Sequence, residues 1–553
     1  MKRFLALALS LLMILSVLLM AGCNDGTKDD GSSSSSSTSS TTASTSKDTT
    51  ASDSTTESTA NSSTESTSDS TTESTDSTTE STSDSTTEST SDSTTESTED
   101  IGGTEVVPTG KEKLKGYEDV TFNGATFTIV GADGESDGFN SAKEIYSEES
   151  DAISVAVRER NAWIETLYQC TIVGKSSPTP ANDAMTEVSS NQHTIDLYTH
   201  HYANSGTATG GKVYNLYDLG SREIDFTKAW WDQQYINSYS VKNSSGKDTL
   251  YSIVGDFALT TFDCTHAIVF NKTVYQNDPD INSIDIYELV RTNKWTMDQF
   301  QFMVKNSVSD ADGNSTLDSQ AGDILGWIRT GHATHGLHTA SGLSILKNTA
   351  GVLSFDVSNN TDTWTTVIDK AIEIWAMPEG QTLSYSVIPE TIAGGYALFA
   401  SEILGSSLAN LKDYDVEIGL VPYPLYSESQ ENYAHYVDNH FYSYSVPTSV
   451  SDIDAIGDFL TIYAYHSTYL VRPAYLNVYA YDYCSDPQSA EMLDIILSTM
   501  TYDPGYLDAS LEGDLSNMIT NGKNNVAKFA TAKAKNASSW ISNFIAGLDD
   551  NNV

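Results

Sequence analysis

The chain has 553 residues and a formal net charge of −46, from 75 acidic and 29 basic side chains. So acidic a protein offers no basic face to nucleic acid, and most of its acids lie in the part rich enough in apolar residues to fold. Beyond Cys23 only Cys170, Cys264 and Cys484 remain, an odd and widely spaced set that makes neither a disulfide framework nor a CxxC metal knuckle.

The first element is a targeting signal. Lys2 and Arg3 precede an apolar run from Phe4 to Leu19, and Met20-Ala21-Gly22-Cys23 closes it. A basic head, an apolar stretch and small residues before a cleavage point make a secretory signal. The cysteine at its end resembles the lipobox of bacterial lipoproteins, with Met20 where Leu is usual. That resemblance implies a diacylglycerol on the Cys23 thiol, hence a membrane anchor on the extracellular face. The run is also nearly long enough to span a bilayer uncleaved.

From Ser32 to Asp100 the chain is almost wholly Ser, Thr, Asp, Glu and Ala, with a repeat of about eight residues that begins Ser66-Thr67-Ser68-Asp69 and has variants ending at Glu80, Glu88 and Glu96. Such a segment cannot bury enough surface to offset its ordering entropy. It reads as a tether, about 80 residues spanning roughly 50 Å if flexible and more if its acids repel.

From about Val106 onward the chain is too long for one core and fits two lobes. Ala125–Val130 reads as a strand ended by Gly131. Asp151 then caps an amphipathic helix to about Leu167, with Ile153, Ala156, Val157, Ile164 and Leu167 in its stripe. Arg160 falls inside that stripe, so its guanidinium must meet a carboxylate or carbonyls, or lie along the helix with its head in water. Ile172-Val173, Ile195–Tyr198 and Ile268–Phe270 read as further strands. Alternation of strands with helices predicts an α/β protein with mostly parallel sheets, whose ligands bind beyond the carboxyl ends of the strands.

Several segments in order resemble the bacterial extracellular solute-binding proteins of the maltodextrin-binding type, capture subunits of ABC importers. The nearest likeness is to a lipoprotein branch common in clostridia. Ala156–Asn161 is similar to its "AVYERN" helix, Ile195-Asp196-Leu197 to "YDL", and Asp225–Asp232 to "DLSKPWWD" with Ala229 for Pro. Gly255-Asp256 with Val269–Lys272 resembles "GD … FNK", Lys294–Asp298 "KWTLD", Glu417–Pro424 "FGILPYP", and Gln430–Tyr433 "QENY", while Leu425 stands where Lys is common.

The resemblance implies a two-lobed type II periplasmic-binding-protein fold with a hinge and an interlobe ligand cleft. It divides the chain into a signal peptide (1–22), a tether (23–104) and a solute-binding domain (105–553). Lobe I takes about 113–262 and 440–500; lobe II takes about 267–437 and the C-terminal segment. The partners it implies are a small solute, expected to be an oligosaccharide, and ABC permease subunits. The protein is expected to be a monomer that does no bond chemistry.

With 30 Tyr and eight Trp, aromatic rings are available to cover sugar faces, and acidic, amide and imidazole groups to bind hydroxyls. The expected ligand contacts are His200, Tyr202, Trp230, Trp231, Asp256, Trp327 and Glu402. Packing between lobes is the plain alternative for the Trp230-Trp231 pair, of which at most one ring can face a ligand. Asp310, Asp312, Asn314 and Asp318 alternate oxygen ligands as calcium loops do, although the glycine is displaced and no Glu closes the loop. Structural Ca²⁺ is therefore the one cofactor to weigh. His332, His335 and His338 are three apart, but Gly331, Gly336 and Gly342 favour a loop over a zinc-bearing helix. The competing class is a glycosidase, which needs two carboxylates about 5–10 Å apart. No HExxH is present. A third class is a sensor-linked binding protein that does not import.

Overall fold

The computed structural model describes residues 108–549 other than 136–137, 202–210, 480–483 and 485. Cys23, the signal and the tether lie outside the described residues, as does Tyr202. The described residues form one compact unit, and within it two mixed sheets carry the two lobes. Among the described residues no helix is long and apolar enough to cross a membrane.

In chain order the sheet strands are β1 (Ala125–Ala132), β2 (Cys170–Ser177), β3 (Leu197–His201), β4 (His266–Asn271), β5 (Leu325–Arg329), β6 (Gly380–Thr382), β7 (Ala397–Ile403), β8 (Ile418–Val421) and β9 (Tyr442–Ser445). The helices that matter here are α1 (Ala152–Tyr168), α2 (Ala333–Thr339), α3 (Thr361–Trp375), α4 (Leu404–Leu411), α5 (Ile453–Asn477), α6 (Pro487–Ser498) and α7 (Val526–Asp549). Lobe I has the order β9-β3-β1-β2 and lobe II the order β6-β5-β7-β4-β8.

The expectation of mostly parallel sheets holds only in part. β1 runs parallel to β2 and β3, and β5 parallel to β6 and β7, but β9 is antiparallel to β3, and β4 is antiparallel to both β7 and β8. The exceptions are the strands that arrive straight from the other lobe. Without a crossover helix of their own they are free to enter the sheet in the opposite sense.

The first crossing passes through Cys264 and Thr265 into β4. The second passes through Val437 and Asp438 towards β9. The two are zipped together by an antiparallel bridge between Thr265 and Val437 and by Asp438 N–H donating to Cys264 O at 2.8 Å. The apolar core follows them. Val157, Ile129 and Phe459 in lobe I belong to the same cluster as Val437 of the crossing and Val269 and Ala400, which pair side by side on one face of the second sheet. Ile268, Phe270 and Phe399 fill the other face beneath α3.

α1 starts where expected, with the Asp151 carboxylate accepting from Ser154 N–H. Arg160 is fully buried and meets carbonyls. Its guanidinium donates to Glu144 O (3.0 Å) and Ser467 Oγ (3.1 Å), and lies 4.0 Å from the Tyr463 ring centre. The three downstream cysteines are buried and form no disulfide.

α7 is long, 24 residues or about 36 Å, and it touches both lobes. Near its start Phe529 packs on Phe355, and Ser358 Oγ donates to Ala530 O, in lobe II. Near its end Leu548 is buried in a cluster with Val130 and Tyr198 of lobe I, and Tyr251 OH donates to Leu548 O at 3.0 Å.

Candidate functional site between the lobes

The carboxyl ends of β1 and β3 in lobe I, and of β5 and β7 in lobe II, converge on the two crossings. The residues that follow each strand make the walls. Beyond β1 comes Phe139, whose ring lies 5.8 Å from His440 in the second crossing, and β3 ends in His201, 5.2 Å from the same imidazole. Beyond β5 come His332 and α2, and β7 ends in Glu402-Ile403 before α4.

One part of this cleft is an open cavity of about 350 Å³. Phe139 and Lys143 of lobe I, Thr260 and Asp263 of the first crossing, and Gly405 of lobe II line it, with Tyr479. Tyr475 and Tyr479 stack at 4.2 Å and 16°, and both hydroxyls donate to Asp263 Oδ1, at 2.9 and 2.5 Å. Burial raises the Asp263 carboxyl and the tyrosine hydroxyls partly offset it. Glu144, on the same cavity, is pushed up to about 8 by burial, although Thr260 N–H and Tyr444 OH donate to it.

The other part is a cluster of imidazoles around one carboxylate. Asp438 is buried, with His332 Nδ1 at 3.2 Å and His266 Nε2 at 3.8 Å from Oδ2, and His440 Nδ1 on Oδ1. Burial alone would raise the Asp438 carboxyl; the three histidines outweigh it and hold it well below the usual range. The bond to Asp438 raises His332, against burial. His335 pairs with Glu512 at 2.6 Å, yet burial lowers its value. Burial raises the Glu402 carboxyl, while the His266 charge pulls the other way. Several buried polar atoms here have no hydrogen-bond partner in the protein: His266 Nδ1, Glu402 Oε2, Thr330 Oγ1 and Tyr423 OH. Such atoms are costly to leave unmet, so they mark a place where water or a ligand hydroxyl belongs.

The three spaced histidines do form a helix. His332 precedes α2, and its ring stacks on His335 at 5.9 Å, which is 6.1 Å from His338. The glycine that argued for a loop is there for contact. A Cβ on Gly336 would sit 2.4 Å from the Tyr423 ring, so only glycine lets α2 lie on that tyrosine.

No family model matches this chain, and no curated protein matches it. Among solved structures, a cyclo/maltodextrin-binding protein complexed with maltotetraose is similar at 10% identity and a TM-score of 0.49, covering 75% of this chain and 97% of its own. The GacH receptor of Streptomyces glaucescens GLA.O, solved unliganded and with acarbose and an acarbose homolog, is similar at 10% identity and a TM-score of 0.45, covering 76% and 98%.

The expected ligand contacts are not gathered into one place. Glu402 lies in the imidazole cluster. Trp327 is fully buried in lobe II, its N–H donating to Ser401 Oγ at 2.7 Å, because β5 runs on to Arg329 and puts Trp327 mid-strand rather than at the cleft edge. Trp231 is enclosed in lobe I and donates to Asp225 O, and Trp230 packs edge-on to Tyr465 of α5. Asp256 pairs with Arg472 at 3.3 Å beside Trp231 in a separate cavity of about 350 Å³; burial raises its carboxyl to about 6 against the pull of Arg472. His200 is buried within sheet I, 3.0 Å from Ser445 Oγ, and burial lowers it to about 4.

The groups that do converge, Asp263, His266, Asp438 and His440, sit in the crossings. The signal for them was the polar triplet Asp438-Asn439-His440 immediately before an alternating strand.

In the acidic loop, Asp310, Asp312 and Asp323 bring carboxylate oxygens within 4.8 Å of one another. Asn314 Oδ1 and Asp318 Oδ1 accept from Thr316 and Gln320 N–H, and Asp310, Asp312 and Asp323 likewise accept from Gly313, Asn314 and Ala311 N–H of the same loop. Buried Asp323, five residues beyond the expected set, closes the group. Three convergent carboxylates suit a hard divalent cation.

Proposed function

We propose that this chain is a lipid-anchored extracellular solute-binding protein that captures an oligosaccharide between its lobes and hands it to an ABC permease. The reading rests above all on the cleft floored by the two zipped crossings. Its walls present stacked tyrosines, carboxylates and imidazoles, together with buried polar atoms that lack partners. Sugar hydroxyls both donate and accept, so they suit such a mixed set, and sugar C–H faces suit rings. A solute that touches both walls favours the closed arrangement over the open one, which is the signal a membrane partner reads. Cys23, acylated with two or more chains, keeps the protein at the outer membrane face, and the tether gives it reach.

The test is thermal unfolding of the full-length protein against a panel of oligosaccharides and peptides. A bound sugar at about a hundred times its Kd adds roughly 2.7 kcal/mol. A shift with one sugar class, recovered intact, supports capture. A shift with peptides alone discards the carbohydrate, and cleavage of the sugar makes the protein a glycosidase.

A further inference from the structure

Asp438 receives imidazoles from three different segments. His266 opens β4 at the end of the first crossing, His332 stands before α2 in lobe II, and His440 lies two residues on in the second crossing. His440 also carries the contact to lobe I, with Phe139 and His201 against its ring. One carboxylate therefore ties lobe II to both crossings, and the His440 ring carries the contact on to lobe I. Imidazole is the side chain whose charge changes between about pH 5 and 8.

We propose that Asp438, His266, His332 and His440 form a proton-operated clasp between the lobes. It is tight in mildly acidic surroundings and slackens as His332 loses its proton.

The groups facing the clasp from each packed element support this direction. Glu402 on β7 lies within electrostatic reach of both His266 and His332. Glu512, from the helix Ala509–Thr520, holds His335 and also acts on His332. Tyr436 from the second crossing packs on His266 and His335, and His201 faces His440 from lobe I. Around His332 the carboxylates Asp438, Glu402 and Glu512 outnumber fixed cations, so its proton adds attraction. Charge on His266 works against His335 and His435, and charge on both His201 and His440 would repel. The sign follows. His332 is raised, so its contribution is full below the ordinary histidine value and is lost as pH rises through its folded value. Asp438 is lowered, so its contribution survives until pH falls through that depressed value.

The clasp does not depend on the sugar reading, and it can be tested without ligand. Spin labels at Val155→Cys and Phe302→Cys, both exposed and on opposite lobes, report the interlobe distance in the full-length protein carrying Cys23→Ser. The expected result is a shorter or narrower distance distribution at pH 5.5 than at pH 8.0, with the response lost in Asp438→Asn. His440→Gln, a milder change, should shift the midpoint and shrink the amplitude. Circular dichroism confirms that each variant is folded. A distance indifferent to pH, or an Asp438→Asn protein that responds like the parent, overturns the proposal. So does a response abolished by EDTA, which would make the cluster a metal site.

Discussion

At the scale of single residues, the most telling side chains are charged ones in apolar places. Arg160 was legible in the sequence as a misfit on an apolar stripe, but its solution was not, because Glu144 O comes from a separate short helix and Ser467 Oγ from a helix that places it 307 residues further on. Arg160→Ala leaves those acceptors unmet and removes the stacking on Tyr463. Urea unfolding should show a loss of roughly 3 kcal/mol. Glu144 tests pH dependence. Its folded value of about 8 lies above the ordinary carboxyl, so between the two the native state holds a proton that the unfolded chain has shed, and stability falls as pH rises. Glu144→Gln should therefore flatten the fall in unfolding free energy between about pH 5 and 8. An unchanged slope would mean that another group carries it.

At the scale of elements, strands with alternating or continuous apolar runs were readable from sequence, as were capped helices such as α1. What was not readable was any feature set by a distant neighbour. α2 looked like a loop because Gly336 is a poor helix former; the helix forms because that glycine lies against the Tyr423 ring. Gly336→Ala should thus reverse the usual rule. It gains about 1 kcal/mol in helix propensity and loses about 1–3 kcal/mol to overpacking against Tyr423, so melting should show net destabilisation. The acidic loop shows the same limit, since Asp323 joins Asp310 and Asp312 only through the fold of the turn. Calcium at a hundred times its Kd should add about 2.7 kcal/mol of stability. Asp323→Asn should remove the gain, and no gain in the parent protein would leave the loop as a plain turn.

At the scale of the whole molecule, the two-lobed α/β plan was legible because strand and helix patterns alternate and motifs recur in order. The cleft chemistry was not, because its groups lie on the crossings, where neither periodicity nor capping marks a side chain's direction. The buried carboxylates act together. Burial raises Asp232, Asp256 and Asp503 each to about 6 and Glu144 to about 8. The native protein thus keeps protons that the unfolded chain loses, and its net charge of −46 grows more repulsive with pH. Above the ordinary histidine value these carboxyls act alone, so melting temperature should be higher near pH 7 than near pH 8.5; below it the buried His200, His338, His435 and His466, lowered by burial, oppose them. α7 adds a consequence of another kind. Lobe I draws on β1 near residue 130, on α5 beyond residue 453, and on Leu548 almost at the last described residue. A chain that emerges from its amino end, whether from a ribosome or through a membrane pore, cannot complete that first lobe until residue 548 has come out. Products cut short before α7 would then display an unfinished core to whatever proteases wait outside.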